Sequence, residues 1–79
     1  MIEIEWGKDQ KVNWSDIAEL NEVTGTDLSF QDFDGNTIVL KKFPTHDIAK
    51  QAREWLIEQV SLIAEEGGGG IVIIDDFVW

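Results

Sequence analysis

Residues 43–74, which read FPTHDIAKQAREWLIEQVSLIAEEGGGGIVII, decide the fold of this chain. Thr45 predicts a helix N-cap, and Asp47 stands where a carboxylate is favourable against the helix dipole. Gly67 predicts the end of the helix, since glycine adopts the left-handed conformation of a C-cap without steric cost. Residues 71–74 follow as a strand with the apolar pattern of one buried on both faces. Apolar residues at spacings of three and four define the buried face of the helix: Ile48, Ala52, Trp55, Leu56, Val60 and Ile63.

The composition predicts one small domain, residues 1–79, near the lower size at which a core is stable without crosslinks. No cysteine is present, which excludes disulfides and thiolate metal sites. The N-terminus lacks the basic start and apolar core of a signal peptide, and no apolar run approaches the roughly 20 residues that span a bilayer. We therefore expect a cytoplasmic protein.

Two segments precede the central part of the chain. Residues 2–6 alternate between apolar and acidic side chains, which predicts a half-buried strand. Residues 15–24 predict a short helix with an irregular apolar stripe, capped by Asn13 or Ser15 and ended by Gly25.

Residues 28–43 predict a β-hairpin. A three-residue loop, residues 33–35, with Gly35 in the left-handed position fits the apolar pattern better than a two-residue loop. Asp32 then stands where its side chain can bond the turn backbone. The resulting register gives two apolar pairs: Phe30 with Ile38, and Leu28 with Leu40.

The order of these elements predicts an α+β fold of the β-α-β-β-α-β type, ferredoxin-like or with a variant strand order. Its four-stranded, mainly antiparallel sheet would pack on one long and one short helix. In the ferredoxin-like order the last strand lies at a sheet edge, yet residues 71–74 are apolar on both faces. Two alternatives follow: the strand is central in a different order, or another chain covers its edge and outer face.

No catalytic or metal-binding pattern emerges from the residues. His46 is the only histidine, and the adjacent Asp47 points elsewhere on a helix. Residues 32–36 lack the spacing of a calcium-binding EF-hand loop. Residues 67–70 follow a helix and precede a strand, the reverse of a phosphate-binding glycine loop. We therefore expect a non-catalytic protein without a cofactor or metal.

The charge is large and segregated. Sixteen acids against six bases give a formal net charge of −10, and residues 12–40 and 54–79 contain no base. Such a charge disfavours direct binding to nucleic acid or anionic membrane, which attract positive surfaces. It is explained either by solubility or by attraction to a basic partner surface.

Acidic rows suggest a binding role for the charge, although a solvated helix face is the default explanation for such a row. Glu54 and Glu58 are one helical turn apart, near 6 Å, and Glu65 continues the row. Glu3 and Glu5 are about 7 Å apart on one strand face. Both spacings are similar to that of successive phosphates along a nucleic-acid strand. With two loop acids and two apolar residues, the predicted partner-binding residues are Glu54, Glu58, Glu65, Glu3, Glu5, Asp32, Asp34, Ile57 and Trp79.

A compact, cysteine-free, acidic α+β chain of this size resembles the small phage-encoded inhibitors of host defence, particularly anti-CRISPR proteins, some of which act as DNA mimics. The resemblance covers overall size, charge and the acidic rows. It implies non-catalytic blockade of a nucleic-acid-binding surface on a partner protein in the host cytoplasm.

The alternative function is that of an assembly module acting through its aromatic C-terminal strand. This alternative is based on the apolar strand at residues 71–74 and on the terminal segment Phe77-Val78-Trp79. We expect a homodimer that weakens at low salt, because salt screens the repulsion between acidic copies but not apolar burial.

Overall fold

Six strands and one long helix form the structure, a computed structural model that describes residues 1–79. Two short 3-10 turns, Trp14–Asp16 and Ile74–Asp76, complete the structure. None of the helices has the length and apolar character of a membrane span. The helix is α1 (His46–Glu65). The strands are β1 (Ile2–Trp6), β2 (Gln10–Asn13), β3 (Ile17–Leu20), β4 (Asp27–Asp32), β5 (Thr37–Lys42) and β6 (Gly70–Ile73).

The strands form two three-stranded sheets. In the first sheet β1 lies between β2 and β6, antiparallel to β2 and parallel to β6. In the second sheet β3, β4 and β5 form an antiparallel meander. The α+β class is confirmed, whereas the single four-stranded sheet and the second helix are wrong. The reason is that the chain between β1 and β4 supplies two strands, one to each sheet.

The short helix predicted over residues 15–24 is replaced by the turn Trp14–Asp16 and by β3. A bulge between Ile17 and Glu19 shifts the register of β3 against β4. Residues three apart normally point to opposite faces of a strand, but the extra residue of a bulge returns them to one face. Ile17 and Leu20 therefore share the inward face, opposite Asp32 and Phe30, at a spacing that imitates a helix.

The β4–β5 hairpin has the predicted loop. Gly35 has φ +85°, and Phe30 lies opposite Ile38, so both predictions are confirmed. The predicted pairing of Leu28 with Leu40 is wrong: a register shift between Leu28 and Ser29 places Lys41 opposite Leu28. Leu28 and Leu40 are nevertheless both buried, because the bulge keeps each side chain directed into the core.

Helix α1 begins and ends as predicted. The Thr45 hydroxyl accepts a hydrogen bond from the Ile48 N–H at 3.2 Å, and Gly67 has φ +72°. The predicted apolar face packs on β4 and β6, with the addition of Ala49. The core that joins α1 to both sheets consists of Ile4, Leu28, Phe30, Leu40, Phe43, Ala49, Ala52, Leu56, Val60, Val72 and Ile74.

Strand β6 lies at the edge of the first sheet, with β1 as its only neighbour. Val72 is buried, but Ile71 and Ile73 are 53% and 40% exposed. Within this chain the strand is not buried on both faces, and the alternative of a central strand is wrong; the alternative that another chain covers its edge and outer face stays a prediction. The cause is that α1 covers only the face that carries Val72, and nothing in the chain covers the other.

Candidate protein-binding surfaces

Four acidic residues form a ridge along α1, which we call the acidic ridge: Asp47, Glu54, Glu58 and Glu65. At 100° per residue these positions fall within about 40° of one another, directly opposite the buried face. All four are exposed. The ridge extends over about 27 Å of helix, at 1.5 Å per residue. Three of the four were predicted; Asp47 was missed because its position was explained by the helix dipole, although it lies two turns before Glu54.

The acidic ridge is not neutralised within the molecule. The only ion pair in the structure joins Lys41 to Asp75 at 2.8 Å. Lys50 precedes Glu54 by four residues but does not pair with it, and no base lies within one turn of Glu58 or Glu65. Glu54 and Glu58, which are four residues apart, repel each other by a few tenths of a kcal/mol. The ridge therefore concentrates negative potential on one side of the molecule.

Glu3 and Glu5 lie on a different surface. Both are half-buried on β1, on the face of the first sheet that is turned away from α1. Lys11 of β2 is directly opposite Glu5, so this row has a base beside it. On the other side their neighbours are Ile71 and Ile73 of β6. The structure does not bring Glu3 and Glu5 together with the acidic ridge.

Asp32 ends β4 and Asp34 lies in the β4–β5 turn, but only the Asp34 carboxylate makes no hydrogen bond within the protein. The Asp32 carboxylate accepts hydrogen bonds from the backbone N–H of Asn36 at 2.9 Å and of Asp34 at 3.0 Å, and from the Asn36 side-chain amide at 3.3 Å. The Asn36 backbone bond, above all, holds the pKa of Asp32 below its usual value. Asp32 therefore acts in the turn itself, while Asp34 is exposed.

The two predicted apolar contacts are both partly exposed. Ile57 is 38% exposed on the flank of α1, about 60° from Glu54, and so borders the acidic ridge. Trp79 is 55% exposed and lies outside α1, in contact with the ring of Phe43.

An aromatic cluster fixes the C-terminal segment to the body of the protein. Phe43 makes edge contacts with Phe77 and Trp79, at centroid distances of 5.9 and 5.3 Å. Trp55 of α1 lies 5.5 Å from Phe77, and the Lys41 ammonium lies 5.3 Å from the Trp79 ring. The rings thus pack on the core, while Trp79 remains 55% exposed.

A shallow concavity of about 360 Å³ separates the start of α1 from the β3–β4 connection. His46 contributes to its wall, with Nδ1 at 2.7 Å from the carbonyl oxygen of Gly25. No carboxylate or hydroxyl is hydrogen-bonded to this ring. Nowhere in the chain are three histidine, aspartate or glutamate side chains arranged to hold a metal ion.

Comparison with known proteins does not assign the chain to a family. No family model matches it, and neither a curated protein nor a solved structure is significantly similar to it.

Proposed function

We propose that this protein is a non-catalytic binding protein whose acidic ridge occupies a basic, nucleic-acid-binding surface of a partner protein. The observation that carries the proposal is the row of unpaired carboxylates along the solvent side of α1. A solubilising surface needs charge but not a row of one sign along one face of a helix. The proposal agrees with the resemblance to anti-CRISPR and other phage-encoded, DNA-mimicking inhibitors.

The chemistry of the partner follows from the ridge. Glu54 and Glu58, about 6 Å apart, match a groove whose lysine and arginine side chains otherwise contact successive phosphates, and Asp47 and Glu65 extend the row by two helical turns on either side. Opposite charge accelerates encounter, and this acceleration decreases with ionic strength. Ile57, at the border of the ridge, supplies apolar area that salt does not weaken. Binding of this kind blocks nucleic acid by occupancy and requires no chemical step.

In the experiment, this protein is immobilised and used to capture partner proteins from a host lysate treated with nuclease. Duplex DNA is then added to compete for each captured partner. We expect DNA and the protein to exclude each other from a captured partner. The double variant Glu54→Lys, Glu58→Lys should weaken capture by about tenfold or more, because each reversal replaces attraction by repulsion.

A matched control separates the ridge from net charge. Asp16→Lys combined with Glu19→Lys changes the charge equally, at two exposed positions outside α1. This control should retain capture. Equal loss in both double variants would mean that only net charge matters, and capture unaffected by either variant or by raised salt would refute the electrostatic mechanism.

The second candidate function is assembly through the C-terminal segment. It is favoured by the open side of Trp79 and by the uncovered face of β6. Because Phe77 contacts Phe43 and Trp55, deleting the whole segment would remove packing as well as a contact. Trp79→Ala is the sharper test, because it leaves the contacts of Phe77 with Phe43 and Trp55 in place: it should abolish capture by a protein that is still folded if the segment is the contact. Capture that survives this change would exclude Trp79 as the anchor.

A further inference from the structure

Strand β6 is short, but it is the one edge strand in this protein without a charged residue, a proline or a bulge. Edge strands are normally blunted by charged side chains, proline or bulges. The edge strand β2 carries Lys11, β3 carries Glu19 and a bulge, and β5 carries Lys42. In β6, Gly70–Ile73, there is no charge and no proline, and its register with β1 is regular.

The backbone of β6 offers free hydrogen-bonding groups along that edge. The Gly70 N–H donates to the Met1 carbonyl oxygen at 3.0 Å, on the β1 side. Alternate residues of a strand direct their N–H and C=O groups to opposite sides. Ile71 and Ile73 therefore present theirs to the open edge. The same two residues have the exposed apolar side chains, so the edge combines backbone pairing with apolar contact.

The surroundings of this edge are acidic. Glu3 and Glu5 lie beside Ile71 and Ile73 on the neighbouring strand, and Asp76 lies shortly after β6 without an ion pair, whereas Asp75 pairs with Lys41. The chain has no base after residue 53, Lys11 is separated from β6 by β1, and the Lys41 ammonium is already paired with Asp75. A second copy would bring the same acids and a net charge of −10 to the edge. A cationic chain, by contrast, is attracted by the acids near this edge and by the net negative charge of the protein.

We propose that β6 binds an extended, basic segment of a partner protein, which adds to the first sheet as a further strand beside β6. The segment has apolar residues at positions i and i+2, which contact Ile71 and Ile73 across the strand pair, and lysine or arginine at both ends. This docking edge lies on a different surface from the acidic ridge, so it does not depend on the function proposed for the ridge.

The test uses a defined peptide, acetylated Lys-Lys-Val-Thr-Val-Thr-Lys-Lys, and amide hydrogen exchange followed by NMR in low-salt buffer. In the free protein the Ile71 and Ile73 amides should exchange rapidly. Saturating peptide should protect these two amides, since they acquire acceptors. A control peptide with glutamate in place of every lysine should not bind.

Variants locate the contact. Ile71→Pro removes an N–H that faces the open edge and leaves the ladder to β1 intact, so it should weaken peptide binding about tenfold or more. Should that variant not fold, Ile73→Lys adds a protecting charge, and Val39→Lys is its control, because Val39 and Ile73 are both 40% exposed. Ile73→Lys should weaken binding, and Val39→Lys should not.

Several results would overturn the proposal. One is protection that appears on α1 rather than at Ile71 and Ile73. Another is equal binding of the lysine and glutamate peptides, or no binding of either. A free protein that is already a dimer in low salt, with both amides protected, would show that a second copy occupies the edge instead.

Discussion

The Asp32 carboxylate stabilises the β4–β5 turn more strongly when it is ionised, because it accepts three hydrogen bonds in the turn. Its pKa is lowered in the folded protein, chiefly by the hydrogen bond from the Asn36 backbone. A lowered folded pKa means that the contribution is present above the unfolded pKa, near 3.8, and is lost as pH falls through the folded value.

We therefore expect the free energy of unfolding to decrease below about pH 4, and Asp32→Asn to reduce that decrease. The measurement is urea unfolding of both proteins at a series of pH values between about 2 and 6. Asp34→Asn, in the same turn but outside these hydrogen bonds, is the control and should follow the wild-type pH profile. A D32N profile parallel to wild type would show that other carboxylates govern the acid transition.

Gly69 and Gly68 form a matched pair at the entry to β6. A Cβ at Gly69 would overlap the Met1 carbonyl oxygen and lie 2.8 Å from the Met1 nitrogen, whereas a Cβ at Gly68 would meet nothing within 4 Å. We expect Gly69→Ala to destabilise the protein by about 1–3 kcal/mol, because the β1–β6 pairing must shift. Gly68→Ala should be neutral or stabilising by a few tenths of a kcal/mol. Thermal unfolding of both variants decides, and equal melting temperatures would contradict this close approach.

These residues also show what single-residue patterns can predict. Thr45, Gly35 and the Asp32 turn bonds follow from rules that depend only on neighbours in the chain, and they were predicted from the sequence. The difference between Gly68 and Gly69 depends on Met1, which only tertiary structure brings near. Four consecutive glycines contain no information about which of them is packed.

Among the elements, α1 was predictable because its apolar period persists over twenty residues. Strand β3 was not, since its bulge converts the strand period of two into an apparent period of three. The exposure of Ile71 and Ile73 could not be predicted either, because a short, wholly apolar run has the same sequence pattern whether one face of the strand or both are covered. The acidic ridge, by contrast, follows from the period of α1 alone.

Arg53 attaches α1 to the end of β3. Its Nε donates to the Asn21 carbonyl oxygen at 2.9 Å, and its Nη2 donates to that of Leu20 at 3.0 Å. A lysine ammonium cannot reproduce this fork, so we expect Arg53→Lys to lower the free energy of unfolding by about 1 kcal/mol. Lys50→Ala, at an exposed position of the same helix, should change it by less than about 0.5 kcal/mol. Chemical denaturation of the two variants measures both effects, and an Arg53→Lys protein as stable as wild type would show that the fork is dispensable.

At the scale of the whole molecule, the division into two sheets could not be predicted, because it depends on which strand each of β2 and β3 joins. Both connect through the turn Trp14–Asp16, and their residues do not specify different partners. The net charge of −10, by contrast, follows directly from the composition. It makes two copies of the protein repel each other, and so opposes pairing between their β6 edges.

The dimer predicted from the sequence uses this same edge, and it stays a prediction. Two copies repel over a Debye length of about 30 Å at 0.01 M salt but only about 3 Å at 1 M. Apolar contact between the exposed isoleucines of β6 is unaffected by this screening. We therefore expect a monomer in low salt and a growing dimer fraction as salt increases, measured by sedimentation equilibrium. Ile71→Pro should remain monomeric throughout, since it removes a backbone donor from the edge. Association that decreases with salt would instead indicate that charge attraction, not β6, joins the copies.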